Sequence, residues 1–127
     1  MSNPGETVEV TMENFDQLVE SHPIVILDFW AEWCGPCKLF GPIFEQAATA
    51  FPDILFGKVD TEKATELATA FQVRSIPTIM AFKEKELVFE QAGLLPAPML
   101  VKLIEEIQKL DMDEVRKKKA ELEQPEA

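Results

Sequence analysis

At 127 residues the chain is long enough for one domain that buries roughly two thirds of its unfolded surface, so it needs no disulfide staples to fold. Acids outnumber bases 23 to 12, and the net charge of -11 excludes nucleic acid and anionic membrane surfaces, both of which recruit Lys and Arg to one face. With 46% hydrophobic and 28% charged residues the composition is that of a soluble globular domain, and no apolar run approaches the roughly 20 residues of a membrane span.

Residues 1–6 (MSNPGE) carry no basic side chain and lead into no apolar stretch. They are expected to be a disordered N-terminus rather than a secretory signal, which puts the chain in the reducing cytoplasm. Thr7 to Thr11 alternates as a strand. Asn14 and Gln17 stand three apart like a capping box, and Phe15, Leu18 and Val19 follow at helical spacing. Ile24 to Trp30 (IVILDFW) is a short apolar run, the mark of a strand covered on both faces. Asp28 interrupts it, and a carboxyl there is expected to be buried with a raised pKa. From Cys34 the spacing turns helical through Cys37, Phe40, Phe44, Ala47, Ala48 and Phe51, until Pro52-Asp53 ends it. Ile54 to Val59 is a second apolar strand, and Lys63 to Phe71 puts Leu67, Ala68 and Phe71 on one helical face.

Thr78 to Phe82 and Leu87 to Gln91 read as a hairpin around Lys83-Glu84-Lys85-Glu86, and Pro96 to Leu110 as an amphipathic helix. The order β-α-β-α-β-α-β-β-α implies an α/β fold, a mixed sheet with helices on both faces, over residues 7–110. Residues 111–127 hold six acids and four bases, hence -2 of the total -11. This charged extension is read as helical, a solvated continuation of the last helix that frays and is disordered from Pro125 onward. A partner-binding or self-association helix is the alternative.

The chain's two cysteines both lie in WAEWCGPCKLF, residues 30–40. If a helix begins near Cys34, Cys37 lies nearly one turn on and the Cα atoms fall about 5–6 Å apart, within disulfide range. Cys34 then sits where unpaired N–H groups and the helix dipole favour an anion, so it is the nucleophilic thiolate. Cys37, one turn inside, is shielded and acts second. Pro36 fits the first turn, where its missing N–H costs nothing, and Pro42 should kink the helix. A zinc site would need four ligands, and two thiols with one histidine do not supply them within one chain. His22 is read as a surface residue without a role.

Four stretches resemble the thioredoxin family: ILDFWAEWCGPCK (residues 26–38), GKVD (57–60), VRSIPT (73–78) and QAG (91–93). The resemblance covers roughly residues 7–110. It implies a thioredoxin fold, a three-layer α/β/α sandwich with a central mixed five-stranded sheet and four helices. It implies a protein disulfide reductase in which Cys34 attacks a substrate disulfide and Cys37 resolves the mixed disulfide. Asp28 would take the proton from Cys37, directly or through water, and Lys58 would modulate Asp28. Pro77 would be cis, and Ile76 would offer its backbone to an extended substrate. Trp33, Gly35, Pro36, Ile76, Pro77 and Gly93 would form the substrate-binding surface, with Trp30 and Pro42 as structural support. No metal or bound cofactor is implied. The implied partners are disulfide-containing proteins and a thioredoxin reductase or equivalent electron donor, the chain acting as a monomer. A disulfide oxidase or isomerase, or a binding module docking a partner around Cys34, are the alternatives. One departure stands out: thioredoxins often place Asn-Gly at the hairpin turn, so Glu84-Lys85 must accept positive φ or use another turn.

Overall fold

A computed structural model describes residues 4–123. The elements are β1 (Thr7–Glu9), α1 (Met12–Ser21), β2 (Ile24–Trp30), α2 (Gly35–Ala50), β3 (Leu55–Asp60), α3 (Thr65–Ala70), β4 (Thr78–Lys83), β5 (Glu86–Ala92), α4 (Ala97–Lys109) and α5 (Met112–Glu123). The sheet runs β1-β3-β2-β4-β5. Its β1–β3 and β2–β3 pairs are parallel, while β2–β4 and β4–β5 are antiparallel.

Side chains alternate across a strand, and the core divides accordingly. Ile26, Phe56, Ile79 and Ala81 pack with Phe40 and Phe44 of α2 and with Leu100, Ile104 and Ile107 of α4. Val25, Leu27, Phe29, Val59 and Met80 pack with Val19 of α1 and Leu67 of α3. Asp28 on β2 shares parity with Ile26, and Lys58 on β3 shares parity with Phe56. Both are therefore aimed at the α2 side of the sheet. Gly57 faces the other way, where a Cβ would come 2.5 Å from Val10 Cγ2 and 2.8 Å from Leu27 Cδ2. Only glycine lets β1 and β2 close on β3 there.

The N-terminal cap of α1 stands three residues earlier than the sequence suggests. Thr11 is the N-cap, and its N–H donates to Asn14 Oδ1 at 2.8 Å, so Asn14 closes the box instead of opening it. Of the first six residues, Pro4 to Glu6 are described, and the Gly5 carbonyl accepts from Thr49 Oγ1 at 3.3 Å.

The described residues hold five helices, not the four expected, because residues 111–123 do not continue α4. Leu110 leaves the helix at φ -60° and ψ 132°. Lys83 Nζ donates to the carbonyls of Ile107 and Gln108 at 2.9 Å and of Leu110 at 3.0 Å, filling the open end of α4 with a cation. Asp111 Oδ1 then accepts from the N–H groups of Asp113 at 3.0 Å and Glu114 at 3.3 Å and starts a new helix. That helix folds back on the hairpin turn. Met112 is buried, and Arg116 and Lys119 pair with Glu84 and Glu86, each at 3.0 Å. Through Glu123 the extension is thus a second helix packed on the hairpin turn rather than a continuation of α4, and residues from Pro125 onward lie outside the described residues. The turn itself accepts left-handed backbone, with φ of 49° at Glu84 and 73° at Lys85. The two departures from the family pattern are joined: Lys83, Glu84 and Glu86 of the turn are the residues that hold the α4–α5 segment.

Candidate active site

Cys34 is the N-cap of α2, in extended backbone at φ -89° and ψ 110°, with Pro36 in the first turn. The backbone N–H of Cys37 donates to Cys34 Sγ at 3.2 Å. A sulfur at an N-cap thus does what Ser or Asp does elsewhere, and as a thiolate it would accept that bond with charge assistance. Cys34 and Cys37 are joined as a disulfide, with Cα atoms 5.2 Å apart. Each is 4% exposed. Exposure therefore does not separate the two in this state, contrary to the expected shielding of Cys37 alone; position on the helix does. Pro42 lies within α2, which runs on from Gly35 to Ala50.

Asp28 is fully buried, and neither carboxylate oxygen has a hydrogen-bond partner among the described residues. Burial pushes its pKa up from 3.8 to about 7, against the opposing pull of the Lys58 cation. The two stand directly opposite in the β2–β3 register. In the disulfide state Cys37 carries no thiol proton, and both Asp28 oxygens are without a partner among the described residues. Lys58 Nζ lies 4.9 Å over the Trp30 ring and 3.9 Å from Glu45 Oε2, and approaches α2 at Gly41, whose added Cβ would stand 3.7 Å away.

Trp30 packs against the buried group formed by Ala31, Cys34 and Cys37, as does Ile76. The Ile76 carbonyl oxygen lies 3.8 Å from Cys34 Sγ. The Ile76–Pro77 peptide is cis, and the Pro77 carbonyl accepts from the Gly93 N–H at 2.8 Å. Gly93 has φ +103°, which a side chain would resist. Trp33 is 70% exposed, and nothing lies within 4 Å of where a Gly35 Cβ would stand. The expected residues therefore form one constellation: Cys34, Cys37, Ile76 and Trp30 in contact, Pro77 and Gly93 beside them, and Asp28 and Lys58 on the neighbouring strands behind.

Three residues were missed. Glu45 meets Lys58, Thr61 donates its hydroxyl to the Trp30 carbonyl at 3.1 Å, and Arg74 lines a groove with Trp33 and Ile76. Glu45 and Thr61 carry no motif of their own. Arg74 lies inside VRSIPT, where its position two residues before Ile76 was a usable signal.

The Thioredoxin family model matches residues 6–106. A putative thioredoxin 2 of Streptomyces coelicolor is 59% identical over 115 residues, covering 91% of this chain and 86% of the relative. A thioredoxin of Mycoplasmoides gallisepticum is 40% identical over 89 residues, covering 70% and 89%. Among solved structures, a single-site mutant of a thioredoxin from Halobacterium salinarum superposes with a TM-score of 0.79 at 33% identity, over 87% of this chain and 98% of that one. A chain from a complex of ferredoxin:thioredoxin reductase and thioredoxin f2 gives 0.78 at 28%, over 85% and 100%. A matched domain, a disulfide-bonded pair at a helix N-terminus and a cis-proline loop against the first sulfur coincide in one chain, and it belongs to the thioredoxin family of dithiol–disulfide oxidoreductases.

Proposed function

We propose that the chain is a protein disulfide reductase in which Cys34 attacks and Cys37 resolves. The Cys34 thiolate attacks one sulfur of a substrate disulfide. A Cys34–substrate bond forms, and the other substrate sulfur leaves as a thiolate. Cys37 then loses its proton to Asp28, through water, and attacks Cys34 Sγ. The internal disulfide closes, and the second substrate thiolate departs with the electron pair. Two electrons have moved from chain to substrate.

The observation that carries this reading is the Cys37 N–H donated to Cys34 Sγ at the N-cap of α2, at 3.2 Å. It favours negative charge on Cys34 specifically. The raised pKa of Asp28, about 7, supports its role as proton acceptor near neutral pH. Lys58 tunes Asp28. Trp33, Gly35, Pro36, Ile76, Pro77 and Gly93 receive the substrate, and the Ile76 carbonyl beside Cys34 favours an extended segment added alongside it. Trp30 and Pro42 support the site.

The chain is rereduced by a thioredoxin reductase or equivalent donor. A structural neighbour from a complex with ferredoxin:thioredoxin reductase supports a docking mode of that kind. Confining both cysteines to one redox pair suits a monomer working in the cytoplasm. The test is trapping on a protein disulfide such as insulin. Cys37→Ser should accumulate a covalent adduct through Cys34, while Cys34→Ser should form none. Adducts through Cys37 in Cys34→Ser, with none in Cys37→Ser, would overturn the assignment.

A further inference from the structure

A groove of about 250 Å3 opens beside the reacting sulfur, lined by Trp33, Thr65, Thr69, Val73, Arg74 and Ile76 among others. It touches the site twice: Trp33 precedes Cys34, and Ile76 places its carbonyl oxygen 3.8 Å from Cys34 Sγ. Thr65 and Thr69 lie one turn apart on α3, so their side chains share a helix face. A third lining threonine, Thr61, has its hydroxyl engaged with the Trp30 carbonyl at 3.1 Å.

Arg74 is the one charged residue in this lining. Among the described residues it makes no ion pair or hydrogen bond and is exposed. Lys38, next to Cys37, is likewise exposed and unpaired among the described residues, but it does not line this groove; Arg74 is the cation that does. By contrast, Arg116 and Lys119, in the C-terminal helix, each hold a carboxylate at 3.0 Å.

We propose that Arg74 is a specificity-determining residue, which selects protein disulfides whose attacked cysteine is flanked by an acidic side chain. The proposal rests on the reading of Cys34 as the nucleophile and Ile76 as the docking strand. An extended segment laid along Ile76 sends alternate side chains to one side. A side chain directed into the groove meets apolar Val73 and Trp33, the two threonine hydroxyls and one guanidinium. Asp or Glu satisfies that set, since a carboxylate accepts from guanidinium and hydroxyl alike. Lys or Arg in the same place meets a like charge.

The experiment uses the full chain, reduced, with short peptides whose single cysteine carries a 2-thiopyridyl group, a neutral leaving thiol. Cys34 attacks the peptide sulfur and releases pyridine-2-thione, read by absorbance. Peptides are identical except for Asp, Lys or Ala, placed in turn at each of the two positions on either side of the cysteine. At low ionic strength the wild type should cleave the Asp peptide about fivefold faster than the Lys peptide in at least one register, the scale of an exposed ion pair. Arg74→Gln should bring that ratio near one and Arg74→Glu should invert it, and high salt should flatten all the ratios. Each protein's Asp and Lys rates are taken relative to its own Ala-peptide rate, which removes any change in Cys34 reactivity common to all the peptides. A wild-type ratio near one in every register, or an unchanged ratio in Arg74→Glu, overturns the proposal. If instead the Ala peptide is not cleaved by the wild type, or is cleaved equally by Cys34→Ser, the underlying assignment of Cys34 has failed.

Discussion

Asp28 and Lys58 stand directly opposite on adjacent strands, yet they are not bonded: Lys58 Nζ sits 4.9 Å over the Trp30 ring, and both Asp28 oxygens lack a hydrogen-bond partner among the described residues. The carboxyl therefore feels the cation without being neutralised by it. Desolvation outweighs the attraction, and the pKa rises to about 7.

The contribution of Asp28 to stability should fall as pH rises. Above 3.8 the unfolded carboxyl releases its proton, while the folded one keeps it until about 7, so the unfolded state is favoured progressively across that window. Above about 7 the ionised group costs the folded state about 4 kcal/mol, a figure that follows from the displacement from 3.8. Asp28→Asn should accordingly be more stable than wild type by about 2–4 kcal/mol at pH 8 and nearly equal to it near pH 4. Urea unfolding at the two pH values measures this. A wild type more stable at pH 8 than at pH 5 on account of Asp28 would contradict it.

Removing the cation should raise the carboxyl further. In Lys58→Met the Asp28 titration, followed by the carboxyl carbon resonance, should move above about 7, since desolvation alone remains. An unchanged or lowered midpoint would mean that the cation over Trp30 does not reach Asp28.

The α4–α5 junction should depend on Lys83 more than on the visible ion pairs. Lys83 Nζ holds three carbonyls at 2.9 to 3.0 Å. Its replacement by Met should cost about 1.5–3 kcal/mol, the range for bonds to a charged group. Arg116→Ala breaks an exposed pair with Glu84 and should cost no more than about 1 kcal/mol. Denaturant midpoints of the two variants decide this, and equal losses would contradict it.

Lys85 has φ 73°, a conformation glycine adopts without penalty. Lys85→Gly should therefore stabilise the hairpin by up to about 1 kcal/mol, partly offset by the greater freedom of the unfolded chain. A rise in thermal midpoint is the expected reading, and a fall would show that the turn is not strained.

The core of the site was legible because its signals are local. A helix N-terminus at Cys34, a partner one turn on and a carboxyl inside an apolar strand each follow from neighbours in the chain. The hairpin posed a choice between strain and another turn, and Glu84 and Lys85 take the strain. What was not legible depends on distance. No Gly or Pro marks the break at Leu110, and the cation that stabilises it comes from Lys83 across 24 to 27 residues. Residues 111–123 therefore read as continuous with α4. The shift of the α1 cap came from a competing choice of N-cap, since Thr11 and Asn14 both suit that position. Glu45 and Thr61 join the site only through the packing of α2 and β3, whereas Arg74 lies two residues before Ile76 within VRSIPT.

The central claim is that Cys34 and Cys37 form a reducing dithiol, and its most direct measurement is the equilibrium of that pair against a graded series of thiol–disulfide buffers. Trp30, packed against the two cysteines, reports the change by fluorescence. The disulfide should persist in buffers reducing enough to open the labile protein disulfides it acts on, as a strong electron donor requires. A pair that becomes fully reduced already in an oxidising buffer would contradict the claim and mark the chain as a disulfide oxidant instead.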